Sequence, residues 1–367
     1  MNILQLEASP GWGGQEIRIL QEAIGLRKKG FNIIFAVMKK GGLAKKALDA
    51  GFIVYEINYK KFYWFFSFFS LINIMKKHRV DVLNTHSSSD AWLGGCIGRL
   101  LKIPIVRTRH LSTPIRKGLN SRFLYHFLTD FVVTTCAAMC PIIEKQSKKP
   151  RDRIYSIPTG VSPEEIRFVS SQVLQFRQKI RVSTTEFLVG TVCFMRSWKG
   201  IEDFLNAANI LRYQSNIKWV IIGGGHEEKY RKKAKELRLD SLVTFTGHLE
   251  NPFPSIAALD TFALLSTAHE GVSQASLQAA YLEKPLITTK TGGLAEVCVH
   301  GETGWNVPSF SPQKVVEAVL AFQSNPLKRK EMGKRAKQLV IKKFTREKML
   351  KDMEKIYIKS LQNSFFD

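Results

Sequence analysis

The sequence predicts an α/β protein made of two doubly wound, parallel-sheet domains. Short apolar runs alternate with helix-length segments, and this alternation weakens between residues 150 and 186 before it restarts. A chain of 367 residues with 44% hydrophobic content also has the material for two cores rather than one.

Asn2 to Leu6 is the first strand. Gly11-Trp12-Gly13-Gly14 breaks it into a helix with Ile17, Leu20 and Ile24 on one face, which stops at Gly30 in the manner of a left-handed cap. Strands follow at Asn32 to Val37, Ile53 to Ile57, Val80 to Asn84 and Ile103 to Arg107. Lys148-Lys149-Pro150, Ile157-Pro158-Thr159-Gly160 and the polar stretch before Phe187 mark the linker. The expected domains are therefore 1–165 and 166–345, with 346–367 a helix that packs back towards the first. The second domain has strands at Phe187 to Cys193, Lys218 to Ile222, Val243 to Phe245, Phe262 to Leu265 and Leu286 to Thr288, with helices from Ile201, Glu227 and Val272. Ser311-Pro312 supplies an N-cap and a first-turn proline for a helix from Gln313 to about Phe322, and two further helical segments follow. In open parallel sheets ligands lie outside the carboxyl ends of the strands, so two such domains facing one another are expected to form a central cleft lined by post-strand loops.

The balance of 55 Lys and Arg against 31 Asp and Glu gives +24, which favours nucleic acid, phosphorylated ligands or acidic lipid as partners. No nucleic-acid-binding motif or stacking platform accompanies the charge, so nucleic acid is not an expected partner. Cys96, Cys136, Cys140, Cys193 and Cys298 form an odd, scattered set without a CxxC pair, which fits reduced thiols rather than disulfides or a zinc site. The N-terminus lacks a basic region followed by a long apolar one, and no uncharged apolar run reaches the ~18 residues of a spanning helix. The expected compartment is cytoplasmic.

His269-Glu270-Gly271 follows the strand Phe262 to Leu265, and a helix from Val272 to Leu282 would aim its free N–H groups at a phosphate or a hydroxyl-rich ligand there. A lone acid at a helix start reads first as a complement to the helix dipole. The next strand, however, opens into Thr291-Gly292-Gly293, where the backbone of Gly292 and Gly293 can approach a diphosphate while Glu270 accepts from sugar hydroxyls. Gly13 and Gly14 offer a similar approach at the first helix, although that loop lacks the full dinucleotide spacing. Gly223-Gly224-Gly225 reads either as a turn beside the ligand or as a tight turn alone.

Leu265-Ser266 through Glu270-Gly271, Gln278-Ala279-Ala280, Lys284-Pro285, Gly292-Gly293, Glu296 and Gly301 to Gly304 resemble the retaining glycosyltransferases of family 4. Gly13-Gly14, Ile157 to Val161 and Lys199-Gly200 extend the resemblance over nearly the whole chain. It implies the two-domain GT-B architecture and a hexosyltransferase-type enzyme. Such an enzyme moves a sugar from a nucleotide-sugar donor to a glycan or lipid-linked acceptor with retention of configuration, in lipopolysaccharide or other cell-envelope polysaccharide synthesis. A nucleotide-sugar epimerase of the same architecture and a non-catalytic sugar-nucleotide-binding relative are the alternatives.

The resemblance also implies roles for single residues. Glu270 contacts donor-sugar hydroxyls, with Gly271 beside it; the second glutamate of the family, usually on the ribose, is replaced by Gln278. Lys199 matches the lysine that neutralises the leaving diphosphate. Its partner arginine usually stands where this chain has Phe194, and Arg196 is the candidate in its place. His110, in Arg107-Thr108-Arg109-His110, matches the active-site histidine, so His110, Lys199 and Glu270 are the catalytic candidates. His86, Arg107 and Arg109 are candidates for acceptor phosphate, and the base is expected near Val243 to His248. No metal or other cofactor is expected, because Lys199, Arg196 and helix N-termini suffice for a departing diphosphate and no Asp-x-Asp pair occurs.

Between Lys60-Lys61 and Lys76-Lys77 an uncharged run from Phe62 to Met75 begins with seven aromatics in eight positions. As a helix it would turn Phe62, Phe65, Phe66, Phe69 and Ile72 to the core and leave Trp64, Phe68, Leu71 and Met75 opposite. Trp64, Phe68 and Leu71 are thus the candidates for docking to an acidic membrane, which would place the enzyme peripherally on the inner face of the cytoplasmic membrane. Burial against the sheet or in a dimer contact is the alternative.

Overall fold

In the computed structural model, which describes residues 1–363, the first sheet holds β1 (Asn2–Glu7), β2 (Asn32–Met38), β3 (Ile53–Ile57), β4 (Val82–Thr85), β5 (Ile105–Arg109), β6 (Phe131–Thr134) and β7 (Ile154–Ser156). A second sheet holds β8 (Phe187–Val192), β9 (Ile217–Ile222), β10 (Val243–Gly247), β11 (Thr261–Leu264), β12 (Leu286–Thr288) and β13 (Gly304–Asn306). Their orders are β3-β2-β1-β4-β5-β6-β7 and β10-β9-β8-β11-β12-β13, and every pairing is parallel. Each is a Rossmann-like sheet whose order reverses once, between β1 and β4 in the first and between β8 and β11 in the second. At such a reversal the flanking loops part and leave room for a ligand.

The strands are near-continuous apolar runs because helices cover both faces of a parallel sheet; Ile3, Leu4 and Leu6 of β1 are all sealed. β4 and β5 begin two residues later than the sequence suggested. Val80 and Ile103 still serve the preceding helices, their N–H groups donating to the carbonyls of Met75 (3.0 Å) and Gly98 (2.8 Å). β6, β7 and β13 escaped the sequence reading; they are only four, three and three residues long.

One compact unit comprises Met1–Pro158 with the chain from Glu347, and the other Thr159–Arg346. The division falls after Pro158 rather than after residue 165. Val161 donates to the Phe344 carbonyl (2.9 Å) and accepts from the Arg346 N–H (2.9 Å), which ties this stretch to the end of the second unit. The last helix, Arg346–Asn363, buries Met349, Leu350, Met353, Ile356 and Tyr357 in the core of the first unit, a stripe at helical spacing.

The aromatic segment forms the helix Trp64–Lys77, but its faces are the reverse of those expected. Leu71 (0% exposed), Ile74 and Met75 are buried against Leu4, Leu6 and Ile34, Phe68 packs against that cluster, and Trp64 Nε1 donates to the Tyr59 carbonyl (3.0 Å). Phe62 (85% exposed), Phe65, Phe66 (70%) and Phe69 point outward instead. The aliphatic residues of the second half set the buried stripe, and the aromatics of the first half follow the rotation they impose. Among the described residues no helix is long and apolar enough to cross a membrane.

Candidate functional site

In the second unit the loops after β8 and β11 meet at the sheet reversal. Gly200 takes φ 68°, and a Cβ there would lie 2.0 Å from the Leu265 carbonyl oxygen, so glycine is what lets the Ser197–Lys199 turn close on the end of β11. The Thr267 N–H donates to the Trp198 carbonyl (2.8 Å) across the same junction. Lys199 is thereby brought to Glu270. Its ammonium donates to Glu270 Oε1, which also accepts from Ser266 Oγ (2.7 Å). Glu270 is only 6% exposed, and its Oε2 takes no partner among the described residues.

The helix expected from Val272 runs instead over Gln274–Tyr281, with Ser273 as its cap. Glu270 therefore stands in the loop, and its carboxylate is paired with Lys199 rather than set at the helix end. The preceding His269 adopts the left-handed region (φ 61°) with its ring edge-on to Trp198 at 5.1 Å. Gly293 N–H donates to the Glu270 carbonyl (3.1 Å), so the Gly292-Gly293 turn lies against the same loop, beside buried Gly271. Lys199, Glu270, Gly271, Gly292 and Gly293 are thus neighbours.

Gln278 is half-buried on the helix, and its side-chain amide makes no hydrogen bond among the described residues. Arg196 is exposed, its guanidinium 5.3 Å from the Phe194 ring and 5.2 Å from the Trp198 ring. The two aromatics hold the cation beside the Lys199 turn. Gly223 and Gly225 serve close passage of the chain after β8, since Cβ atoms there would lie 2.0 Å from the Cys193 carbonyl and 2.5 Å from that of Met195. That is the tight-turn reading. Burial pushes the Cys193 thiol up to about 12, so it stays protonated.

In the first unit the loops after β1 and β4 are stitched together by carboxylates. Glu7, the last residue of β1, accepts from Ser9 N–H (2.7 Å), Gln15 Nε2 (2.5 Å) and Ser87 Oγ. Asp90 Oδ2 accepts from the N–H groups of His86 and Ser87 (2.9 Å each) at the start of the helix Ser88–Leu101. Burial, with the Asp90 charge beside it, pushes the Glu7 carboxyl up to about 8. Both acids were missed in the sequence. An acid closing an otherwise apolar strand and a Ser-x-x-Asp capping pattern were the available signals.

Gly13 caps the helix Gly14–Lys28, its N–H donating to Glu16 Oε2 (2.8 Å). A Cβ at Gly14 would meet nothing within 4 Å, and at Gly13 nothing nearer than Glu16 Oε2 at 3.6 Å. Packing within this unit does not require either glycine.

His110 follows β5 directly, with its Nε2 3.0 Å from His86 Nδ1. Burial, reinforced by the Arg18 and Arg107 charges, lowers His86 to about 3, and burial with His86, Arg18 and Arg109 lowers His110 well below its ordinary value. Because β5 extends to Arg109, Arg107 falls inside the strand and is buried. Its Nη1 donates to the Ser87 carbonyl (2.9 Å) and its guanidinium stands 4.8 Å over the Tyr125 ring. Arg109 donates to the Tyr125 hydroxyl and, through Nη2, to the Thr113 carbonyl (2.5 Å). Burial raises the Tyr125 phenol, but these two guanidiniums outweigh it and lower it overall. His86, also buried, bonds Gln5 and His110. The three acceptor-phosphate candidates therefore pack behind or beside His110. Among the described residues no three His, Cys, Asp or Glu side chains are grouped so as to hold a metal ion.

Residues 173–339 match the family model described as glycosyl transferases group 1, and residues 12–165 match that described as glycosyltransferase family 4. The chain is 22% identical over 301 residues to an N-acetyl-alpha-D-glucosaminyl L-malate synthase of Bacillus anthracis, covering 80% of this chain and 78% of that protein. It is 23% identical over 320 residues to the capsular polysaccharide biosynthesis glycosyltransferase CapM of Staphylococcus aureus, covering 81% and 82%. Among solved structures it resembles Anabaena Alr3699/HepE in complex with UDP-glucose, with a TM-score of 0.85, 18% identity and coverage of 98% and 100%.

Proposed function

The chain belongs to the group 1, family 4 glycosyltransferases, and on that premise we propose that it transfers a hexosyl group from a nucleotide-sugar donor, with retention of anomeric configuration, to a glycan or lipid-linked acceptor of the cell envelope. The observation that carries this reading is the pairing of Lys199 with the buried Glu270 carboxylate at the reversal of the second sheet. Glu270 keeps Oε2 for a sugar hydroxyl, while Lys199 keeps two of its three N–H groups for a phosphate oxygen. The Gly292-Gly293 backbone lies against Glu270, and with the Gly293 N–H committed to the Glu270 carbonyl it is the Gly292 N–H that would read a diphosphate. Arg196, exposed on its aromatic seat, adds a second positive charge to the developing diphosphate. In this reading side chains and backbone dipoles stabilise the leaving group, and no metal ion is called for.

Gln278 holds the ribose through its amide, and the end of β10 borders the base. In the first unit, Gly13 and Gly14 leave backbone open to the transferred sugar or diphosphate, and His110 contacts a sugar hydroxyl. HepE binding UDP-glucose and CapM acting in capsular polysaccharide synthesis support the donor class and the envelope setting.

The lipid-linked acceptor is reached at an acidic membrane surface, on the inner face of the cytoplasmic membrane. The surface that docks is the ridge Phe62, Phe65, Phe66 and Phe69, flanked by exposed Lys60, Lys61, Lys76 and Lys77. Aromatics that enter the headgroup boundary beside lysines that meet acidic lipid are the two components of interfacial binding.

A panel of nucleotide-sugars tested for protection against thermal unfolding identifies the donor. Product analysis with donor alone then separates transfer from epimerisation. If no nucleotide-sugar raises the Tm, the proposed donor site is wrong.

A further inference from the structure

The hydrogen bonds behind His110 form one continuous chain through the first unit, and their direction decides which ring nitrogen carries its proton. The chain starts at Glu22, 1% exposed and one turn along the helix Gly14–Lys28 from Arg18, itself only 2% exposed. None of the three Arg18 nitrogens forms a hydrogen bond among the described residues. A guanidinium sealed in the core cannot shed its proton and needs a counter-charge. Burial pushes the Glu22 carboxyl up, the Arg18 charge and the Tyr357 hydroxyl pull against that rise, and Glu22 Oε1 is the acceptor for that hydroxyl.

Tyr357, on the last helix, donates its one hydroxyl proton to Glu22 Oε1 (2.7 Å). The Tyr357 hydroxyl oxygen is itself approached by Asn84 Nδ2 (2.7 Å) and Gln5 Nε2 (3.3 Å). With its proton committed, Tyr357 only accepts from them, so both amides must turn their NH2 groups towards it. Thr108 Oγ1 donating to Asn84 Oδ1 (3.0 Å) agrees with that orientation. Gln5 Oε1 then faces His86 Nε2 at 2.7 Å, and His86 must carry its proton there. His86 is buried and neutral, so its Nδ1 is a lone pair that accepts from His110 Nε2–H at 3.0 Å. His110 Nδ1 is left unprotonated and takes no partner among the described residues.

We propose that Tyr357, Gln5 and His86 are positioning residues that fix His110 as its Nε2–H tautomer, so that the Nδ1 lone pair accepts a hydrogen bond from a hydroxyl of the sugar. The last step rests on the reading of His110 as a sugar contact. The tautomer itself does not. The chain's return to the first unit therefore has a chemical consequence: a phenol on the terminal helix sets the proton of a histidine at the end of β5.

Long-range proton–nitrogen NMR of the full chain, labelled at its eight histidines, reads the tautomer directly, with His110→Gln identifying the His110 signals. The expected spectrum has His110 Nε2 protonated and Nδ1 bare; a protonated Nδ1 overturns the proposal. Tyr357→Phe removes the acceptor that orients both amides, and mixed tautomers are expected at His86 and His110. Leu350→Ala loosens the same helix over Gly25 without touching the relay, so its spectrum should match wild type. Unchanged tautomers in a folded Tyr357→Phe protein, or equal changes in both variants, also overturn the proposal. In Tyr357→Phe the kcat for transfer should fall about tenfold or more, since a histidine in the wrong tautomer is a poor partner, while KM for the acceptor holds. Altered tautomers with unaltered transfer would keep the relay and remove His110 from the sugar site.

Discussion

Lys199 and Glu270 are hydrogen-bonded to each other, 71 residues apart in sequence, so the cation proposed for the departing diphosphate and the carboxylate proposed for the sugar position one another. Only one ammonium proton and one carboxylate oxygen are used in the pair. Both partners can therefore engage donor without separating. Glu270→Gln keeps the shape and removes the charge, while Lys199→Met keeps the stem and leaves Glu270 buried without its counter-ion. Each should lower kcat/KM on the order of 10²–10³, the usual effect of losing one charge-stabilising contact in a transition state. Lys199→Met should also cost about 2 kcal/mol of stability, below the value for a fully sealed pair because the lysine is partly accessible. Initial rates and thermal melts measure the two effects, and near-wild-type rates in both variants would sink the assignment.

Gln278 has its amide unengaged on the helix after the Glu270 loop. A neutral amide accepts from a ribose hydroxyl about half as strongly as a carboxylate does. Gln278→Glu should therefore tighten nucleotide-sugar binding about tenfold, or ~1.4 kcal/mol, as measured by calorimetry, with little change in kcat. Unaltered affinity would show that the ribose is not held at this residue.

The doubly wound pattern was legible because buried parallel strands are unbroken apolar runs; β6, β7 and β13 were not, since three or four residues carry no period. Glu270 was legible as an acid in a post-strand loop. Lys199 was found through the family resemblance, but its pairing with Glu270 was not, because the contact depends on Gly200 passing under the Leu265 carbonyl, a tertiary approach with no local signature. Arg107 was placed at the end of its strand because the strand was read two residues early, which turned a buried side chain into an apparent site residue. The aromatic helix was misread because its seven clustered aromatics were taken to set the buried stripe. Leu71, Ile74 and Met75 nonetheless choose the buried face, being the ones that fit against Leu4 and Leu6. Tyr357 lies too far along the chain for its role behind His110 to be read from spacing.

Glu7 couples stability to pH. Its folded pKa of about 8 lies above the ordinary 4.5, so between those values the folded protein keeps a proton that the unfolded chain has released. Stability from this group is full at the acid end of that window and is lost as pH rises through it, by up to roughly 1.4 kcal/mol per unit. Glu7→Gln mimics the protonated side chain. Its Tm relative to wild type should climb between pH 5 and pH 8, and a difference that stays flat across that range would refute the assignment.

The rotation of the aromatic helix changes which residues should matter at a membrane. Phe65, Phe66 and Phe69 are exposed and Leu71 is sealed, so the two faces make opposite predictions. Phe65→Ser, Phe66→Ser and Phe69→Ser together should leave the Tm nearly unchanged and weaken sedimentation with vesicles of acidic phospholipid at least tenfold, on the order of 1.4 kcal/mol or more. Leu71→Ser should instead lower the Tm, since it puts a hydroxyl into the cluster around Leu4 and Ile34, and any loss of vesicle binding should follow the loss of folded protein. Replacing Lys60, Lys61, Lys76 and Lys77 with Gln should flatten the salt dependence of vesicle binding, because those charges meet the headgroups. Vesicle binding that survives the triple serine variant would leave the ridge to some other contact and remove the membrane from the proposal.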